Sequence, residues 1–599
     1  MLRLPQLMDG QKQVLQTTTF AGYNHREIIR DGEMYDTRNL SGEMYPLIGL
    51  RKKRGVISFG ETADSLSGID GRDQLTVILG RRVIYNFVPV AGLEVSTDPA
   101  MCPKRIVNFG AYVLIFPDKL YFNTVNQSDY GTIDRLWSAQ GNLVSLCMCR
   151  GDGTDYDMTQ ITVSASAPAN PTNGQLWIDE SGDNDVLRQY STANGEWVEV
   201  ATTFVKISGI GIGHGLKEYD AIRVSGIAAP DGAGDRVKAQ AAALNGSFLI
   251  YFSGENYIVV AGLISQVISA LKAQTVRADR VVPEMDWIVE SNNRLWGCFY
   301  GMRDGQAINE IRCSALGDFK NWERFMGNSQ DSWVASVGTD GPFTGAVTQK
   351  SYPVFFKENC IHQAYGNTPS SFQINTTVCR GIQAGSGDSA VVVNEQVYYK
   401  SRGDVMMFDG SMPVSCSSQL GDILYSEARA GSVGGIYYIS MKDPRNEWNL
   451  FTYDTTTGTW YREDGFHAMG FGRVGDELFA INAETGALTA MRGSMGTLED
   501  DFPWMAEFGL FGTDYRDEKY LSRFDIRMYM EEGSKAQLEI QYDSSGKWEK
   551  MPEIRGRRLR SFVIPVIPRR CDHLRFRLTG KGTMRIYSIS RIMEVGADG

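Results

Sequence analysis

Two cysteines one residue apart, Cys147 and Cys149, are the first side chains in this sequence that could do chemistry. On a strand both thiols face one side, as a pair of metal ligands would. No second cysteine pair or nearby histidine completes a tetrahedral zinc site, so the pair reads as buried strand residues. The string GIGIGHG at 209–215 has the outline of a phosphate-cradling loop. No Lys-Ser/Thr pair closes it and no long helical period follows, which makes it a hairpin tip. The histidines His25, His214, His362, His467 and His573 lie far apart and form no H-E-x-x-H or comparable pairing. Aspartate and glutamate number 71, yet no spacing singles out two carboxyls facing each other across a pocket, as glycoside hydrolysis requires. No catalytic, cofactor-binding or metal-binding residue is assigned on these grounds, and the chain reads as a non-enzyme.

The sharpest charge features are arginine strings. Arg555, Arg557, Arg558, Arg560, Arg569 and Arg570 lie near the C-terminus, and Arg51 and Arg54 flank Lys52 and Lys53 near the N-terminus. They alternate around turn-forming residues instead of interleaving with stacking aromatics, which argues against a single-strand nucleic-acid groove. Guanidinium forks suit bidentate pairing to carboxylates, so these eight arginines are candidate interface residues.

The elements that must position these residues are strands. From about Asp73 onward, short apolar or alternating runs are broken by Gly, Asp, Asn and Pro, as in 73–87 and 108–123. The same pattern resumes after Asn245 and continues to about 500, with strand pairs repeating at roughly the 40 to 60 residues of a propeller blade. The string YDTTTGTWYRED at 453–464 resembles the Asp-box turn of sialidase-like propellers, with Asp454, Gly458 and Trp460 as its structural residues. Residues 151–244 differ in texture, rich in Ala, Pro, Ser, Asn and Thr with Trp177, Tyr190 and Trp197, and read as small inserted β modules. The stretch 162–200 within them resembles modules inserted in many phage tail and fibre proteins. Helix is expected only at 234–246 and 264–276. The fold class that follows is all-β. Residues 1–60 form an N-terminal arm and first strands, 61–150 and 245–500 a β-propeller, 151–244 the insertion, and 510–599 a C-terminal β-sandwich.

At 599 residues the chain exceeds one ordinary domain, and 42% apolar residues with 64 glycines fit turn-rich globular β structure. A net charge of −11 lacks the basic balance of a nucleic-acid-gripping protein, although it would suit a conduit that must not hold a passing polyanion. No apolar run reaches the roughly 18 residues of a membrane span, and the first residues lack a signal-peptide layout, so synthesis in a cytosol is expected. The nine cysteines, an odd number scattered along the chain, are expected to be reduced thiols.

Two segments resemble a known family. TRNLSGEMYPLIGLRKKRG at 37–55 resembles the opening of bacteriophage tail nozzle and packaged-DNA stabilisation (tail hub) proteins. LSRFDIRMYME, IQYDSSGKWE and FVIPVIPRRCDHLRFRLTGKGTMRIYSISR, in that order, resemble their terminal module. The resemblance implies a virion structural protein without catalysis or cofactor, made in the host bacterial cytoplasm and mounted at the distal end of a short tail. It implies a ring of the chain with itself, a homohexamer, beneath the portal-adaptor ring and contacting tail fibres or spikes. Viral DNA would pass the lumen without sequence-specific binding, and loops would close that lumen until ejection. The glycine-rich connectors at 385–387 and 495–501 are candidate gate loops. A tail-tip or receptor-contacting protein of a long-tailed phage, or a carbohydrate-binding or carbohydrate-cleaving propeller, are the alternatives.

Overall fold

In the computed structural model, which describes residues 12–59, 66–139, 143–272, 276–513, 518–556 and 558–595, seven antiparallel sheets follow one another around a ring. The first blade begins with the strand Leu66–Gly71 and the second with Arg105–Phe109. The third to seventh begin with Trp287–Ser291, Gly345–Gln349, Val391–Val393, Ser426–Val433 and Ala468–Val474. Each of these first strands packs against the first strand of the next blade, and Ala468–Val474 returns to Leu66–Gly71. The ring is a closed seven-bladed propeller. Closure is needed because a lone blade exposes two apolar faces, as the second strands Leu75–Leu79 and Ile436–Lys442 show by being buried along nearly their whole length.

The last blade is completed from the other end of the chain. Ala468–Val474, Glu477–Asn482 and Leu488–Ala490 are followed in the sheet by the N-terminal strand Gly55–Ile57, with Thr497–Leu498 beyond it. The first and last blades are thereby locked together.

Residues 12–50 do not form a separate arm. Lys12–Thr17, Leu40–Ser41 and Ile48–Leu50 join the sheet of Lys519–Met530, Arg560–Ile564 and Met584–Val595, while Met34–Arg38 joins the sheet of Pro503–Phe511, Lys535–Tyr542 and Leu574–Lys581. These two sheets pack face to face over a core that includes Phe20, Trp504, Phe524 and Phe576. Lys519–Met530 alternates buried and accessible residues along its length, the period of a strand with one face on a core. The sandwich is thus built from both chain ends and starts at Pro503, a little before the expected 510.

The insertion is larger than the expected 151–244. A seven-stranded sheet runs from Leu143–Cys149 to Arg277–Asp279, carrying a four-stranded sheet from Thr162–Ser164 to Glu196–Glu199 and the helix Asp235–Ala243. The hairpin Gly246–Gly254 with Tyr257–Ala261, expected in the propeller, belongs here, because alternation reveals a hairpin but not the sheet it joins. The second expected helix is instead the strand Ile268–Lys272, paired with Leu143–Cys149. Its apolar spacing of three and four was compatible with either element, and the unpaired edge of that sheet decides it. A two-strand neck, in which Arg135 and Arg280 exchange backbone hydrogen bonds of 2.8 Å each, joins the module to the propeller.

Candidate functional site

The seven innermost strands converge on an axial cavity of about 470 Å³. Convergence demands small residues, and glycines 68, 387, 431, 470 and 472 line it. At Gly387 an added Cβ would lie 1.9 Å from the Trp287 ring and 2.4 Å from the Thr344 carbonyl, so only glycine fits. Charge enters from several blades. The Arg105 guanidinium stacks on Trp287 at 3.7 Å, donates to the Asp286 carbonyl at 3.0 Å and reaches Asp388 at 3.5 Å. Arg429, from the sixth blade, reaches the same carboxylate at 3.5 Å. The Asp388 carboxylate thus lies between two guanidinium groups.

Asp70 also lines the cavity and accepts a hydrogen bond from the Asn108 side chain. Burial raises its carboxyl from 3.8 to about 6, against the lowering effects of the Gly71 N–H, Asn108 and Arg72. The cavity thus holds one carboxyl that burial raises to about 6 and a second that two arginines flank. A carboxyl with a raised folded pKa contributes stability below its unfolded value and loses it as pH rises from about 3.8 through about 6. Asp70→Asn keeps the Asn108 bond and removes the charge. Because Asp70 is only partly shielded by surface area, the expected gain is about 1–2 kcal/mol at pH 7.5, falling to less than half of that at pH 4.5. Thermal melts of both proteins at the two pH values measure it.

The N-terminal arginines, expected at an interface, are buried within the chain. Arg51 and Arg54 are 7% and 6% exposed and spent within the chain. Arg51 donates to Asn39 Oδ1 at 2.7 Å, pairs with both oxygens of Glu499 and stacks on Phe502 at 4.0 Å. Arg54 donates to Asp464 and to Glu463, each at 2.7 Å. The sequence could not distinguish an inter-subunit carboxylate from an intramolecular one 400 residues away. Burial alone would lower the Arg54 guanidinium, and Asp464 and Glu463 outweigh it and raise it. Asp464 is held below its usual range by the two arginines against burial, whereas burial lifts Glu463 despite them.

The described C-terminal arginines, 555, 558, 560, 569 and 570, are exposed. Arg560 begins the edge strand Arg560–Ile564 and stacks on Phe562 at 4.9 Å. Arg569 pairs with Glu549 at 2.9 Å, Arg555 pairs with Glu553, and Arg558 and Arg570 reach solvent. Arg557 lies outside the described residues. Val563 and Ile567, 58% and 77% exposed, lie among them.

Other candidates resolve as structure. Cys149 is buried on Leu143–Cys149 beside the half-buried Cys147, and burial pushes its thiol up to about 12. Among the described residues no group of three or more His, Cys, Asp or Glu could hold a metal ion. The loop at 209–215 lends its carbonyls to Arg135, which donates to Gly211, Ile212 and His214. Asp454 accepts from the N–H groups of Thr456 and Thr457 at 2.8 and 3.3 Å, Gly458 takes φ +70°, and Trp460 is fully buried, making a hairpin turn of the sixth blade. His362 is buried between Thr339 and Thr376, and burial followed by Lys357 lowers it to about 4. Of the two proposed gate loops, Gly387 lines the axial cavity, whereas Thr497–Leu498 lies on the outermost edge of the seventh blade, away from the axis.

No protein-family model matches the chain, and no curated protein matches it. Among solved structures it is similar to an exo-β-1,3-galactanase from Phanerochaete chrysosporium, at 7% identity and a TM-score of 0.21 over 51% of this chain and 94% of that one. An engineered GH43 glycoside hydrolase is similar at 10% identity and a TM-score of 0.18, over 52% and 97%. Trypanosoma rangeli sialidase in complex with sialic acid is similar at 8% identity and a TM-score of 0.23, over 97% and 95%. The fold class expected from sequence, an all-β propeller, is the one observed. The names of these neighbours, a galactanase, a glycoside hydrolase and a sialidase, run against the expectation of a non-enzyme, and at 7–10% identity and TM-scores of 0.18–0.23 they carry no activity over to this chain. The axial carboxyls Asp70 and Asp388 are the residues that sequence spacing missed. They lie more than 300 residues apart on different blades, and only ring closure brings them to one cavity.

Proposed function

We propose that this chain is a virion structural protein of a bacterial virus, a tail nozzle or hub ring through which DNA passes. The observation that supports it is where the two family-like segments lie. Residues 37–55 and 520–595 are at opposite ends of the chain, and their strands share one sandwich. The polar residues of the first segment are used at the junction of that sandwich with the propeller. Thr37 Oγ1 donates to the Arg462 carbonyl at 3.0 Å, Asn39 Nδ2 to the Pro503 carbonyl at 2.7 Å, and Gly55 begins the strand that completes the seventh blade. In this reading the assembly is a ring of the chain with itself, probed through the exposed edge strand and its arginines. Partners are the portal-adaptor ring and the fibres or spikes, and the location is the virion tail.

The test is assembly. The Arg569→Glu, Arg570→Glu double variant is expected to melt within about 0.5 kcal/mol of wild type, since both residues are exposed. Light scattering and negative-stain imaging should show ring formation or attachment to tail-less particles reduced at least tenfold. Unchanged assembly removes these arginines from the interface, and a wild-type chain that neither rings nor attaches overturns the tail reading.

A second reading, a propeller that binds or cleaves carbohydrate, is favoured by the axial cavity that Asp70 and Asp388 both line, together with the Arg105–Trp287 stack. Turnover of a polysaccharide that is lost in Asp388→Asn would support it.

A further inference from the structure

We propose that the groove between the inserted module and the third blade binds a polysaccharide chain, independently of the axial cavity and of the virion reading. Two hollows meet there, of about 900 and 540 Å³, and share Arg312, Trp322 and Glu323. Together they form an elongated, open site suited to a chain.

The smaller hollow is aromatic. Phe325, 56% exposed, and the half-buried Phe248 and Tyr251 supply its open rings, with Trp322, 3% exposed, packed in the core beneath them. Flat apolar rings beside polar groups match the C–H faces of pyranose rings. The larger hollow has a charged lining arranged as shared pairs. On the module wall Arg223 lies directly across from Asp279 in register, and Arg277 pairs with Asp279 at 3.1 Å. On the blade wall Arg303 and Arg312 both bond Glu310, Arg312 at 2.7 Å. Glu323 accepts from Ser247 Oγ at 2.8 Å, joining the two walls.

The charge balance decides the class of ligand. Lys119 and Arg280 also line the groove, but they are held by Asp134 and Asp220, and Glu284 and Asp304 add negative charge. Six lining cations face four lining carboxylates, and Asp134, Asp220 and Glu310 behind them hold Lys119, Arg280, Arg303 and Arg312, so a nucleic acid would gain little from counterion release. Hydroxyl groups both donate and accept, so guanidinium–carboxylate pairs satisfy a glycan on both counts. Arg312 Nε and Arg280 Nε, buried in the groove walls, have no hydrogen-bond partner in the structure.

The experiment titrates the full-length chain with maltoheptaose, chitohexaose, hexagalacturonate and a 20-mer oligothymidylate, followed by Trp fluorescence and calorimetry. At least one oligosaccharide is expected to bind with Kd of roughly 10 μM to 1 mM. Phe325→Ala and Arg223→Ala, both at exposed positions, should weaken that binding at least tenfold while leaving the melting temperature unchanged. Asp388→Asn should leave it unchanged. Binding of none of the oligosaccharides, equal binding by both groove variants, loss in Asp388→Asn, or tighter binding of the oligothymidylate would each overturn the proposal.

Discussion

Arg54→Ala destabilises the protein by about 3–5 kcal/mol, the size expected when one partner of a buried ion cluster is removed and the others stay behind. Arg54 bridges the end of the sixth blade, through Glu463 and Asp464, to the N-terminal segment that completes the seventh. Glu463 has a side-chain exposure of 5%, so water cannot replace the lost guanidinium. The Phe466 ring, 4.8 Å from the guanidinium, loses its packing partner as well. The loss should have a pH signature of known sign. Without Arg54 both carboxyls lose their nearest cation, and their folded pKa values rise relative to wild type although Arg51 remains beside them. A carboxyl whose folded pKa is raised relative to wild type loses relative stability as pH rises. The deficit of the variant relative to wild type is therefore expected to be larger at pH 7.5 than at pH 4.5. Urea melts of both proteins at the two pH values, followed by protease resistance of the sandwich–propeller junction, measure it. Arg569→Glu, also an arginine with a carboxylate partner, should change stability by less than about 1 kcal/mol because its pair is exposed. Equal losses in the two variants would mean that burial is not what separates them.

That contrast marks the limit of the sequence. The arginines at 51 and 54 and those at 555–570 look alike as text, and only the fold buries the first set and leaves the described members of the second exposed. Strand content was legible because period-two alternation and Gly/Asp/Asn turns are local signals, as in Lys519–Met530 and the Asp454 turn. What was not legible is non-local. Residues 12–50 are as strand-like as any others, but nothing in them shows that they pair with 503–595. The hairpin at 246–261 carries the same pattern as a blade and belongs to the insertion. Asp70 and Asp388 have no sequence neighbourhood in common, so the axial cavity could emerge only after seven first strands were laid side by side.

Blocking ring closure at a single glycine is the second large effect. Gly55→Val is expected to lower stability by about 2–4 kcal/mol and to expose the seventh blade to protease, because the strand Gly55–Ile57 has no slack for a side chain at its first residue. A Cβ at Gly55 would stand 1.9 Å from the Met495 carbonyl, a backbone atom that cannot rotate away. Gly55 pairs with Ala490 on one side and Leu498 on the other, so it sits between two strands and cannot shift toward either. Relief requires the 497–498 strand to detach or Gly55–Ile57 to leave the sheet, and the second route unpairs Leu488–Ala490 and opens the ring between its first and last blades. The buried Leu488 and Ala490 then meet water, which adds the loss of apolar burial to the steric cost. Val56 provides the control. It lies in the same strand but is 44% exposed, so Val56→Ala should cost less than about 0.5–1 kcal/mol and leave the protease pattern unchanged. If Gly55→Val instead melts and digests like Val56→Ala, the N-terminal strand is not what holds the ring shut. Closure would then rest on the contact between Ala468–Val474 and Leu66–Gly71 alone.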